Sequence, residues 1–497
     1  MGIDAEVMNG KVDSERRLFL RAAAQGAGGV ALSAVGGQTA AAFSGTEFRH
    51  QAPIRAPLLE RAYRTAAGHI INADPSDYLT KLAQLKPGDT LLLAPGNYKV
   101  NATDVNTNDV AGLPIVGLNG TPAAPIVITG PETGVRPVLM GRSTHNTILL
   151  ADASYIVVRR LEIDGRGLDG FGVAVHGAAH NITIEDNHFH GHGVDQSVVA
   201  ISTAGGTTWN WIIRRNLIVG AGTGMYLGSS TGGNPFVAGL IEHNVIRDTI
   251  GYNVQIKHQA PWSGLPAGVP TDRTTTVIRH NVFSKSGNSS TGAYARPNLL
   301  VGDCPPRGPG LTNDFAIYGN FFYQNPVESL FQGEGNIAFY GNIMIASGAA
   351  ILVQPHNGLV RNVRIFHNTV LTSGSGAVLV RGGAGGYTQR VFGNAVFAST
   401  RPISIFGKGA ASTQNVVDIQ TNAAKYLNNP LQDGAALDMY PRAGSALRQE
   451  AVDLTGVKDC PSWDKDFNGS PRDPAYRGAY SGQGTNLGWA LGLNFKP

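Results

Sequence analysis

The chain has 497 residues, a formal charge of +4, 65 glycines, 15 % charged residues and two cysteines. The charge is too small to argue for nucleic acid or an anionic membrane as a partner, and two cysteines alone do not make a metal site. Abundant glycine with few charges fits an all-β repeat protein, and a solenoid of this length can remain one unit where an ordinary chain would divide.

In chain order, the first predicted element is an address. Ser14, Glu15, Arg16, Arg17, Leu18, Phe19, Leu20 and Arg21 precede a weakly hydrophobic stretch over 22–35 and a small-residue site at Ala40, Ala41 and Ala42. This order resembles a twin-arginine export signal over residues 1–42. The resemblance implies a bacterial protein that crosses the inner membrane folded and stays in the periplasm or is secreted. No membrane insertion is expected after cleavage. Residues 43–65 read as a Pro/Arg linker. Residues 76–85 then read as a short amphipathic helix with Ser76 as its N-cap, and Lys86 to Tyr98 as the opening strand. A helix there would protect the open end of a solenoid.

Down the middle of the chain an asparagine recurs after each short alternating apolar run, at Asn187, Asn216, Asn244, Asn281, Asn320, Asn342, Asn368 and Asn394. A repeat of mostly 22–29 residues with strand-like alternation and a turn at one fixed place predicts a β-solenoid. Stacked at one corner, each amide can donate to one neighbour and accept from the other. The expected fold is all-β, a single-stranded right-handed parallel β-helix over 66–420 with an N-terminal capping helix and a C-terminal capping segment over 421–497.

Between the asparagines lies a second strand. Its fourth, outward position reads His176, Ser202, Gly228, Lys257, Gly302, Gln332, Gln354 and Arg381. The two longest repeats place extra residues directly after the strands bearing Lys257 and Gly302, over 259–275 and 303–313. Loops inserted on one side of a solenoid commonly flank a binding face, so this polar row is the predicted site. Cys304 lies in the second loop. Cys304 and Cys460 are either a disulfide tying the C-terminal segment to the wall or two separate buried thiols.

The stretch from Lys86 to Tyr98, the repeats, and the tail with Asp466, Phe467, Asn468, Gly469, Ser470, Pro471, Arg472 and Arg477 to Tyr480 resemble the pectin-lyase-like right-handed parallel β-helix superfamily over roughly residues 66–481. That fold carries lyases, hydrolases, epimerases and adhesins. The resemblance implies a protein acting on a polysaccharide, first of all a lyase that removes the proton beside a uronate carboxyl group. Such an enzyme needs a base and a cation or arginine on the carboxylate. Lys257 is the expected base, with Arg296 or Arg381 on the carboxylate and His258, His356 and Glu334 as further catalytic candidates. Gln255, Tyr226, Gln332, Gln354, Arg381 and Trp262 would contact substrate. Asp303 and Glu334 are the candidates for holding Ca2+, although the aspartate-rich cluster of pectate lyases is missing.

A second class is a glycoside hydrolase, which needs two carboxylates across the scissile bond. Gly191, His192 and Gly193 followed by Gln255, Ile256 and Lys257 faintly resemble two polygalacturonase motifs. The acidic motifs are missing, which leaves Asp164 with Asp169, or Asp186 with Asp195, as the acidic pairs. A third class is a non-catalytic glycan-binding surface protein using Tyr226, Trp209, Trp211, Trp262 and Tyr294 as platforms. The chain is expected to act as a monomer without nucleic acid.

Overall fold

The computed structural model describes residues 68–99 and 111–497; the export segment and the linker lie outside the described residues. Each coil of the chain lays down three short strands, as at Val254–Ile256, Thr275–Arg279 and Val282–Ser284. Each strand pairs in parallel with its counterparts in the neighbouring coils, so the coils stack into a right-handed parallel β-helix with three walls. The first and second walls form one 24-stranded sheet because Ile148–Arg159 and Val173–Glu185 run through both without a break. The third wall is a separate 12-stranded sheet. Inside runs a continuous apolar core of Leu, Ile, Val and Phe, from Leu91 near one end to Val396 near the other.

The asparagines mark the corner between the second and third walls. Each donates its backbone N–H and its side-chain NH2 to the Oδ1 of the next, at 2.9–3.1 Å, from Asn187 through Asn394. The ladder has a ninth rung, Asn415, which accepts from Asn394. The residue before each rung is left-handed, with φ of 55° at Asp186, 53° at His243 and 64° at Gly319. A non-glycine residue resists that conformation. The corner accepts it because the side-chain amide also donates into the coil, as Asn216 does to Ile184 O.

The first element differs from its predicted place. A strand at Ile70–Ala73 precedes the helix and pairs with Thr90–Leu93. The helix is only Tyr78–Leu82 and its N-cap is Asp77, because the Ser76 hydroxyl donates instead to Asp74 Oδ1 at 2.6 Å. Tyr78 and Leu82 are buried in the main core, so this short helix does close the apolar end.

The C-terminal segment folds back along the outside. Leu427, Met439, Phe467 and Tyr480 cover third-wall residues such as Val282, Phe321 and Ile343. Val452, Val457 and Cys460 cover Tyr318, Tyr340 and Phe366 on the second wall. The first wall has no such cover from this segment among the described residues. No helix among them is long and apolar enough to cross a membrane.

Candidate functional site on the first wall

Pairing along the first wall runs Ile201, Met225, Val254, Leu299, Phe331, Ile351 and Val378. Two strands therefore sit two residues away from their expected alignment. Ser202 is level with Tyr226, and Gln332 with Leu300. A shift of two keeps every side chain on its face, but it changes the composition of the outward row. The row through Lys257 reads Ala204, Gly228, Lys257, Gly302, Glu334, Gln354 and Arg381, while Ser202, Tyr226, Gln255, Leu300, Gln332 and Leu352 form a second row beside it. Glu334 thus enters the Lys257 row, two coils on, at roughly 10 Å of backbone separation.

Lys257 is half-buried between two glycines. A Cβ at Gly228 would lie 3.4 Å from the Lys257 Cβ, and one at Gly302 only 2.2 Å from His258 N. Any side chain at Gly302 would collide with this backbone, so the wall beside Lys257 is held bare. The ammonium group lies 5.7 Å from the centre of the Tyr226 ring and has no hydrogen bond or ion pair among the described residues. Burial pushes its pKa down to about 8, opposed by the charge of Glu334 and aided by that of Arg296. His258 is held below its ordinary range by burial and by Lys257.

Other expected participants turn out to be engaged. Arg296 is 5 % exposed and donates to the carbonyls of Ala293 and Ala295 at 2.9 and 2.8 Å. It braces the 285–298 segment that returns from the third wall, together with Lys285, whose ammonium donates to Arg296 O. Glu334 accepts backbone N–H groups from Asp303, His356, Asn357 and Gly358. Asp303 accepts from Leu359 N and forms a buried pair with Arg361 at 3.1 Å. These two carboxylates fasten turns, and they do not belong to any three-ligand metal cluster among the described residues. His356 is exposed beyond them. Tyr226 is 3 % exposed, packed with Phe171, Ala174 and Val199, and so is no open platform. Gln255 is buried, Gln332 is half-buried beside it in the second row, and Arg381 donates to Gln354 at 2.8 Å on the open surface.

The inserted loops are also placed differently from expectation. Trp262 packs with Trp209, Val237 and Val269 over the second wall, and its indole N–H donates to Gln259. Arg361 donates to Leu311, Cys304 and Pro305 carbonyls and draws the second loop to the same side. The flank that reaches Lys257 from the opposite side is 285–298, through the charge of Arg296. Its length between Ser284 and Leu299 was the available sequence signal.

Cys304 and Cys460 are separate thiols. Cys304 packs into the main core and Cys460 into the cluster outside the second wall. Burial raises both pKa values, that of Cys460 to about 12. The faint hydrolase motif also dissolves: His192 is fully buried, its pKa pushed down to about 4. Asp186 pairs with Arg215 at 2.7 Å, Asp195 accepts from Ser197, Asp164 from Arg166 N, and Asp169 from Ser143 and Thr144.

No family model matches the chain, and no curated protein matches it in sequence. Solved structures are similar to it at low identity. Pectate lyase Pel9A is 13 % identical with a TM-score of 0.49, over 85 % of this chain and 98 % of that one. An alginate lyase from Paenibacillus sp. str. FPU-7 is 19 % identical with a TM-score of 0.34, over 58 % and 98 %. A GH136 lacto-N-biosidase from Eubacterium ramulus is 12 % identical with a TM-score of 0.38, over 72 % and 69 %.

Proposed function

We propose that this β-helix protein cleaves a uronate-containing polysaccharide by β-elimination, with Lys257 as the proton acceptor. The observation that carries the reading is the environment of Lys257. Among the described residues it is an unpaired lysine on the wall left bare by the C-terminal segment, flanked by glycines, with its pKa brought down to about 8. A base tuned toward the working pH is what removal of a weakly acidic proton requires.

In the proposed step Lys257 Nζ takes the proton from the carbon beside the uronate carboxylate. The electron pair forms a carbon–carbon double bond, the glycosidic C–O bond breaks, and the departing oxygen takes up a proton from solvent. The positive field of Arg296 and the exposed Arg381 favours the anionic substrate, and the half-buried Gln332 offers an amide donor in the adjacent row. A hydrolytic reading is weaker because Asp164, Asp169, Asp186 and Asp195 are tied to turns and ion pairs. Export through the twin-arginine route belongs to the same proposal and rests on Arg16 and Arg17; fractionation of cells expressing the full chain tests it.

The folded protein is to be incubated with a panel of uronate polysaccharides while ultraviolet absorbance is followed. Unsaturated product supports the lyase reading. New reducing ends without absorbance, or retention on a glycan column without cleavage, would each overturn it.

A further inference from the structure

The third wall carries a second polar group of side chains, on strands Glu162–Asp164 and His188–His190. These strands pair in register, so Glu162 stands level with His188, and Asp164 with His190. All four project outward in a two-by-two array. In the coils on either side the same positions are Val138 and Met140, then Leu217 and Val219. These four polar groups are bounded by apolar residues in the coil on either side, just where the cover provided by the C-terminal segment ends, with Leu217 at its margin.

The geometry within the array is that of a ligand set. One atom each from Glu162, His188 and His190 lies within 4.8 Å of the others. His190 Nε2 is 2.8 Å from Glu162 Oε1, while His190 Nδ1 is 3.6 Å from Asp164 Oδ1. Asp164 is itself oriented by the backbone N–H of Arg166 at 2.8 Å. Metal-ligating histidines commonly present one ring nitrogen to the ion and the other to a carboxylate. The rings of His188 and His190 are 4.8 Å apart, so both can turn toward one point. Arg136 feels the charge of Glu162 but donates to Asp186 O.

We propose that Glu162, His188 and His190 bind one divalent first-row transition ion of the zinc type, with Asp164 orienting His190. Two imidazoles and one carboxylate select such an ion over Ca2+, which prefers an all-oxygen shell. The site is far from the Lys257 row in the fold, on another wall, and ties two adjacent coils together.

The test uses the full chain, freed of metal by a chelator, titrated calorimetrically with ZnCl2 and checked by elemental analysis. One equivalent should bind, a large excess of CaCl2 should not displace it, and the melting temperature should rise on binding. His190→Ala should abolish stoichiometric binding, and Glu162→Gln should weaken it by at least about tenfold. These residues are outward, so circular dichroism verifies the fold; should His190→Ala misfold, His188→Asn and Glu162→Gln decide the matter. Absence of stoichiometric Zn2+ binding in the parent, or binding unchanged in folded variants, would overturn the proposal.

Discussion

The asparagine corner and the outer face of the first wall are built from the same repeating coils, yet they obey opposite rules. At the corner each coil from Asn187 to Asn394 does the same thing: an αL residue, then an asparagine whose amide bonds the coils on both sides. On the first wall each coil differs from the next, so a lysine, two glycines, a glutamate and an arginine share one outward row. Uniformity satisfies the backbone wherever it recurs and makes no site. Variation on a rigid frame makes a particular place, and it costs little because the outward positions do not fill the core.

The largest effect should come from the variable face. Lys257→Ala should lower turnover on the cleaved polysaccharide by roughly 10²–10⁴-fold, the range for a general base, while the circular dichroism spectrum stays that of the parent. A folded variant with undiminished turnover would break the contrast. Next comes the brace beneath that face. Arg361 is 1 % exposed and pairs with Asp303, whose pKa burial already raises. Arg361→Ala strands a buried carboxylate and should cost about 3–5 kcal/mol in denaturant unfolding. At the uniform corner, Asn320→Leu removes the acceptor for both Asn281 donors and the donor to Ile278 O. The expected loss is about 1–3 kcal/mol. The same change at Asn415, half-exposed at the end of the ladder, should cost clearly less. Equal losses at the two positions would show that the ladder does not act through burial.

This contrast also explains what could be read in the sequence. The ladder was legible because one residue type recurs in one local setting, and the solenoid followed from it; the hand came from the family resemblance, and the number of walls was not legible. Asn415 was missed because its strand, Ala410–Thr413, is small and polar where earlier rungs follow apolar alternation. The first-wall row was legible in its face but not in its register. Val198 and Leu330 extend their apolar runs, so alternation alone fits two alignments, and pairing with neighbouring coils chooses between them. Lys257 could be picked out because glycines flank it in either alignment. That Arg296 braces its own loop, that Glu334 holds the 356–358 turn, and that the inserted loops lie over the second wall are facts of tertiary contact. No local pattern encodes them. The cover over the other two walls was equally hidden, since the C-terminal segment has no repeat that would reveal where it docks.

The finest test compares Lys257 with itself at two pH values. Its folded pKa, about 8, lies below the roughly 10.4 of an unfolded lysine. Between these values the unfolded chain binds more protons, so the contribution of this group to stability rises with pH across that window. Below pH 8 the lysine is charged in both states and the folded state bears its desolvation; above the upper value it is neutral in both and that burden is gone. Lys257→Met keeps the contact with the Tyr226 ring and removes the charge. It should therefore melt higher than the parent at pH 7, by a few degrees at most, and the gain should disappear as the pH approaches 10.5. Activity should follow the opposite course in the parent, with kcat/KM rising through pH 8 as the neutral amine forms. A stability difference that does not change with pH would mean that Lys257 is solvated like an ordinary surface lysine, and the bare strip beside it would then have no part in tuning a base.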